Sequence, residues 1–325
     1  MEKLSISQLS REYDSNFVPD KHYLDGMPDL QHSDFQDVPI DFVGIEGMPL
    51  PIKIREKSGE IQEVQAMFTG TVNTDSQRRG IDMSRIYRSL FKSKDDIFDI
   101  NKLEDVLRNY QKDLKSFDTH ILMHFNYRVW MPALRSKKDD GTPEGGWKYV
   151  PVTFDCNLDK NGEFVKIMHI DFVYSSTCPC STELSMYAAE TRGCYGAPHS
   201  QRSIARCSMM FNDIIWIEDA LDILKTALVT PTQVFVKRID EMAFGELCAT
   251  PSYPGHPGGT KFVEDAIRNI ANEFNKHSDI LDYKVICSHR ESLHDWNAIA
   301  VITKGLDNSI FNHHVTYDEW QSLIV

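Results

Sequence analysis

Two hydrophobic periods divide this chain. In "VKIMHIDFVYSS", Met168, Ile170, Phe172 and Tyr174 fall on one side and His169 and Asp171 on the other, the alternation of a half-buried strand. "SIARCSMMF" repeats the pattern with Ala205, Cys207, Met209 and Phe211. "IDFVGIEGMPLPIKIRE", "IQEVQAMFTGTVN" and "THILMHFNYRVWMPAL" read as earlier strands, the first two broken by glycine and proline turns. An apolar strand is also expected to end at "KRIDEMAF", which carries Glu241. The helical period appears in "NKLEDVLRNYQKDLKSF", where Leu103, Leu107, Tyr110 and Leu114 share a face. It returns with Ile217, Leu221, Leu224 and Leu228 in "IEDALDILKTALV", and with Val263, Ile267, Ile270 and Phe274 in "KFVEDAIRNIANEF". "IDMSRIYRSLFKS" predicts a shorter helix.

In order, both halves read strand, strand, helix, strand, with an additional helix before a final strand in the second half. This is a weak repeat of architecture rather than of sequence. The pattern predicts an α+β protein whose antiparallel sheets are covered on one face by helices. Residues 1–38 are polar and weakly periodic, and are expected to form a partly disordered arm. "KKDDGTPEGG" has the composition of a surface turn, either a domain boundary or a long hairpin tip. The division expected from it is a first domain over 39–145 and a second over 146–325.

Composition narrows the possible partners. The 325 residues carry a formal net charge of -13, with no general attraction for nucleic acid or anionic lipid. Neither a nucleic-acid nor a membrane partner is expected, and a polyanionic ligand would need a local basic patch. "MEKLSISQLSREYDSNF" lacks the pattern of a signal peptide and no window has the apolar length of a membrane span, so a cytoplasmic location is expected. Seven cysteines show no disulfide-framework spacing. In a reducing compartment they are buried hydrophobes, metal ligands or reactive thiols.

The candidate chemistry centres on "YSSTCPCSTELS". Pro179 cannot donate a ladder hydrogen bond, so Cys178 and Cys180 are placed where a strand ends and the chain turns. Two buried cysteines at a strand end are one reading. The other is an open metal site with one thiolate as ligand and the second thiol reactive. Further candidates stand near expected strand ends: His199 in "GAPHSQRS", Glu241 in "KRIDEMAF", and Glu291 and His294 in "HRESLHDW". Glu264 in "KFVEDAIRN" suits the first turn of a helix, where an acid complements the helix dipole.

Taken in order, "TCPCS", "HSQRS", "KRIDE", "FVEDAIR" and "ESLH" resemble the class-B form of GTP cyclohydrolase I, the metal-dependent bacterial family of folate biosynthesis. "MPDLQ", "IDFVGIEGMPLPIKI" and "RRGIDMSRIYRSL" extend the resemblance over about Met27 to Ala300. It implies a tunnelling fold with two tandem domains per chain, assembled into oligomeric barrels, usually a homotetramer with active sites at subunit interfaces. By the same resemblance Cys178, His199 and Glu241 hold a divalent metal, and Cys180 is the catalytic or substrate-proximal thiol. Glu264 anchors the amino-pyrimidine edge of a purine, while Glu291 and His294 join the catalytic group.

The implied reaction opens the imidazole ring of GTP at C8, releases formate and recloses on the rearranged ribose to give 7,8-dihydroneopterin triphosphate. A divalent ion that acidifies water, together with groups that move protons repeatedly, suits these steps. The sulfur, nitrogen and oxygen donors are compatible with zinc, manganese or iron. Arg202, Arg206, Lys237, Arg85 and Arg88, with Arg238 beside them, could supply the basic patch for the triphosphate. The chain departs from the usual family pattern at Thr182 and Trp296, at Asp82, in "DEM" at 240–242 and in the "ELCATPSYPGHPGG" loop. Altered purine or pterin specificity and a non-catalytic binding protein are the competing readings.

Overall fold

The computed structural model describes residues 14–27, 36, 38–74, 79–92, 94–213 and 215–305. Most of the expected N-terminal arm and of "MPDLQ" therefore lies outside the described residues. After the short helix α1 (Lys21–Asp25), β1 (Ile40–Arg55) and β2 (Ile61–Thr74) form a hairpin. Helix α2 (Met83–Phe91), the two-residue strand β3 (Ile97–Phe98) and helix α3 (Ile100–Leu114) lead to β4 (Thr119–Lys137) and β5 (Pro143–Leu158). The second half runs β6 (Phe164–Thr177), α4 (Pro179–Arg192), β7 (Ser200–Phe211), α5 (Ile217–Leu228), α6 (Arg238–Ala249) and α7 (Val263–Phe274). It closes with β8 (Ile280–His289) and β9 (Ala298–Lys304).

These strands make one nine-stranded sheet in the order β3-β1-β2-β4-β5-β6-β7-β8-β9, antiparallel except for the β1–β3 pair. "KKDDGTPEGG" spans the tip of the β4–β5 hairpin, and residues 145 and 146 lie just inside β5.

The core sits between one face of the sheet and the helices. The expected inward rows of β6 and β7 are buried, as are the predicted stripes of α3, α5 and α7. Alternation sends polar partners to the other face. There His120 Nε2 and His169 Nε2 lie 2.7 and 3.5 Å from the two oxygens of Asp155, and Arg206 makes a two-pronged ion pair with Asp171.

Two local expectations are corrected. The apolar strand before Glu241 is absent: residues 229–237 form a loop, and Glu241 lies in α6. The free edge of β6 beyond its pairing with β5 takes up Thr230 and Thr232 through the Thr230 carbonyl and the Thr232 N–H. These are single bonds across Pro231, which has no N–H to continue a ladder. Asp240 then accepts from the Lys237 N–H at 3.0 Å and from the N–H groups of Arg135 and Ser136, fixing the start of α6 against β4. The second correction is α4, a helix where only a turn was expected. Pro179 is its first residue, where a missing N–H costs nothing. Gly193 ends it at φ +64°, a conformation that suits glycine.

Candidate functional site

Cys178 is the residue at which β6 becomes α4, half-buried and extended (φ -66°, ψ 122°). Its N–H donates to the His199 carbonyl at 3.2 Å, and the His199 N–H donates to Ser181 Oγ at 3.2 Å. Two bonds running in opposite directions thus clasp the Cys-Pro-Cys turn to the segment entering β7. Thr177 Oγ1 and Ser200 Oγ, 2.9 Å apart, add a third link. The next thiol, Cys180, is exposed in the first turn of α4.

His199 meets Glu291, which follows the end of β8: Nδ1 and Oε2 are 3.6 Å apart, and both side chains are mostly covered. His199 Nδ1 is buried and has no hydrogen-bond partner. A buried imidazole nitrogen without a partner is costly unless something else takes its lone pair or proton. The His199 imidazole is thus a nitrogen donor of the kind a divalent ion takes, and its backbone ties it to the turn that carries the Cys178 thiol.

The other expected residues are more dispersed. Glu241 is exposed on α6, and no three histidine, cysteine or acidic side chains gather around a common point among the described residues. Glu264 is exposed in the first turn of α7, but the capping work there falls to Asp265, whose carboxylate accepts from the Phe262 N–H at 3.0 Å. His294 lies in the exposed loop before β9, its ring stacked on Trp296 at 4.4 Å and 8°. Arg206 is engaged by Asp171, Lys237 by Glu144 at 2.6 Å, Arg85 by Asp82 and the Asp113 carbonyl, and Arg88 by Ser84. Arg202 is exposed, and its side chain has no ion-pair partner among the described residues.

Beneath the clasp lies a polar network that pattern reading missed. His289 Nε2 is 2.9 Å from Tyr174 Oη, and its Nδ1 is 3.2 Å from Ser176 Oγ, which in turn meets Ser203 Oγ at 2.8 Å. Burial, with Lys261 adding to it, pushes the His289 pKa down to about 3. Burial likewise lowers Lys261 to about 8 and raises Cys287 to about 12. A signal for His289 was present, because it shares the alternating row of Tyr283, Val285 and Cys287 in β8.

One sheet with α3, α5 and α7 packed on its core face, built from two successions of strand pair, helices and strand pair, is the architecture of a tunnelling-fold protein. The solved uricase of Arthrobacter globiformis matches it with a TM-score of 0.53 over 84% of this chain and 96% of that one, at 7% identity, a likeness of fold alone. The chain belongs to the type I GTP cyclohydrolase FolE2 family, whose model matches residues 27–300. The GTP cyclohydrolase FolE2 of Paracoccus denitrificans (strain Pd 1222) is 40% identical over 316 residues, covering 93% of this chain and 94% of the relative. That of Ruegeria pomeroyi is 40% identical over 305 residues, covering 91% and 79%.

Proposed function

We propose that this protein is a GTP cyclohydrolase I that converts GTP and water into 7,8-dihydroneopterin triphosphate and formate, the first step of tetrahydrofolate biosynthesis. Family membership supports the reaction. The observation that carries the site is the clasp of the Cys-Pro-Cys turn to His199, with His199 Nδ1 buried and unbonded beside Glu291. Cys178, His199 and Glu241 would hold a divalent zinc, manganese or iron ion, with Glu291 orienting His199. Such an ion supplies Lewis-acid activation of water for addition at C8 of the purine.

The chain's own groups do the rest. Glu264 accepts hydrogen bonds from the amino group and N1–H of guanine, the edge that a carboxylate matches with two oxygens. Cys180 Sγ and His294 pass protons to and from the ring nitrogens as the C8–N bonds break and formate leaves. Arg202 meets the triphosphate. Cys180, Glu264 and His294 are all exposed in the single chain. This favours a homotetramer whose subunit interfaces enclose the sites and exclude bulk water.

The test is anaerobic incubation of metal-reconstituted protein with GTP, scoring formate and the fluorescence of oxidised neopterin, beside Cys178→Ala. Both products from the wild type and neither from the variant are expected. A folded, metal-loaded protein that binds GTP and releases no formate would overturn the reading in favour of a purine- or pterin-binding protein.

A further inference from the structure

The proposed site is built from two parts of the chain that are distant in sequence. The metal-binding part stands where β6 passes into α4, and the base-binding part, Glu264, stands on α7. A reaction at C8 with the opposite edge of guanine held by Glu264 depends on the spacing between these parts. An ångström of misplacement is enough to lose most of the rate.

Lys261 lies three residues before Glu264 and is 1% exposed. Its backbone N–H donates to the Thr177 carbonyl at 3.0 Å, one residue before Cys178. Its Nζ donates to the Gly259 carbonyl at 3.0 Å and to Thr230 Oγ1 at 3.2 Å. Both acceptors lead back to β6: the Gly259 carbonyl also takes the Thr177 N–H at 3.4 Å, and Thr230 Oγ1 donates to the Ser175 carbonyl. The third feature around Nζ is the ring face of Tyr174, with its centroid 5.9 Å away.

Among the described residues no carboxylate lies within ion-pair distance of this ammonium group. Burying a charge without a counter-ion is a poor route to stability. Two backbone details show that the surrounding space is shaped closely. A Cβ on Gly259 would stand 2.1 Å from the Leu247 carbonyl oxygen, and one on Gly258 2.3 Å from that of Pro251. Only glycine lets the loop after α6 fold back far enough to present the Gly259 carbonyl to Lys261.

We propose that Lys261 is a positioning residue that sets the register between the Cys178 turn and Glu264, by binding the end of β6, the loop after α5 and the glycine turn before α7 into one unit. The inference rests on the cyclohydrolase reading. It makes a demand that a general stabilising role does not: without Lys261 each part of the site still binds its own ligand, but the two are out of register.

The experiment uses the full chain with Lys261→Met, close in size but lacking the donors, and Thr230→Val, which keeps the lysine and removes one acceptor. For each, thermal unfolding, Mn2+ affinity, GTP affinity and kcat at saturating GTP are measured. For Lys261→Met a fall in kcat of about tenfold or more is expected, with both dissociation constants within about threefold of wild type. Thr230→Val should show the same split with a kcat loss of about threefold, and it decides the matter should Lys261→Met fail to fold. An unchanged kcat would overturn the proposal, as would a fall in kcat matched by an equal loss of metal or GTP binding. Wild-type turnover is read separately: its absence removes the cyclohydrolase reading, whereas the ratio of variant to wild type tests Lys261.

Discussion

Helices α3 and α4 are nearly equal in length, 15 and 14 residues, yet they are held in opposite ways. Six residues of α3, among them Leu103, Leu107 and Tyr110, are buried against the sheet, and Asp99 caps its first turn at 2.9 Å through the Asn101 N–H. No residue of α4 is buried, and Leu184 is 69% exposed, with Met186 and Tyr187 also open. An isolated helix of this length is marginal in water. Helix α4 is held by its ends: Pro179 and the His199 clasp at one, the Gly193 turn at the other. The contrast is between α3, which closes a core, and α4, which carries the Cys-Pro-Cys turn on a surface. Leu184, Met186 and Tyr187 are spread around α4 and stand open to solvent.

The largest effect expected is at the start of α4. Cys178→Ala should lower GTP turnover on the order of a thousandfold and reduce bound metal, with little change in unfolding temperature. Metal analysis and calorimetry on the same sample check this, and a large loss of stability would mean that the turn is structural.

A paired truncation then tests the contrast directly. Leu107→Ala in α3 should cost about 2–5 kcal/mol in denaturant unfolding. Leu184→Ala in α4 should cost the chain less than about 0.5 kcal/mol but weaken assembly, read by sedimentation at falling concentration. Equal destabilisation by the two variants would break the comparison.

The contrast continues underneath the helices, where hydrocarbon supports α3 but a titratable network supports the start of α4. The His289 pKa is depressed to about 3 in the fold from its ordinary 6.5. Between these values the unfolded chain takes up a proton that the native protein refuses. Stability is therefore lost as pH falls from about 6.5 towards 3, by up to about 1.4 kcal/mol per pH unit. His289→Gln, which keeps an amide for Tyr174 and Ser176, should flatten that slope in urea melts between pH 3 and 7. The depressed Lys261, at about 8 against 10.5, adds a rise in stability as pH increases through that interval, which Lys261→Met should abolish.

The smallest effect belongs to the exposed loop. Trp296→Ala should leave unfolding within about 0.5 kcal/mol of wild type. Loss of the stack on His294, an interaction of about 0.5–1.5 kcal/mol, should slow turnover by roughly 2- to 12-fold, with Trp296→Phe intermediate. The loss of the upfield ring-current shift of the His294 protons in NMR spectra reports on the stack without relying on activity.

Much of this molecule was legible before folding. The inward rows of β6 and β7 and the stripes of α3, α5 and α7 follow from periods of two and 3.6, because burial on one face imposes those periods. The turn at Cys178 was legible from Pro179 alone. The segment before Glu241 was not: "QVFVK" has strand composition, but Pro231 and the Asp240 cap diverted it into a loop and a helix. Helix α4 escaped for a related reason, since without a buried face it carries no apolar period to read. Glu264 and Asp265 illustrate the limit within a single turn, as both suit a helix start and only the fold shows which one makes the cap.

The order of residues by itself determined the α+β class and the inward-facing positions, and named candidate side chains for the chemistry, because propensity, period and turn chemistry act over a few neighbours. Tertiary structure alone decided which of those side chains meet. His199 came to Glu291, 92 positions further on, and the backbone of Lys261 to that of Thr177 at the end of β6, 84 positions before it. Contacts of that range are set by sheet register and by the loops that close over it, and no local pattern encodes them.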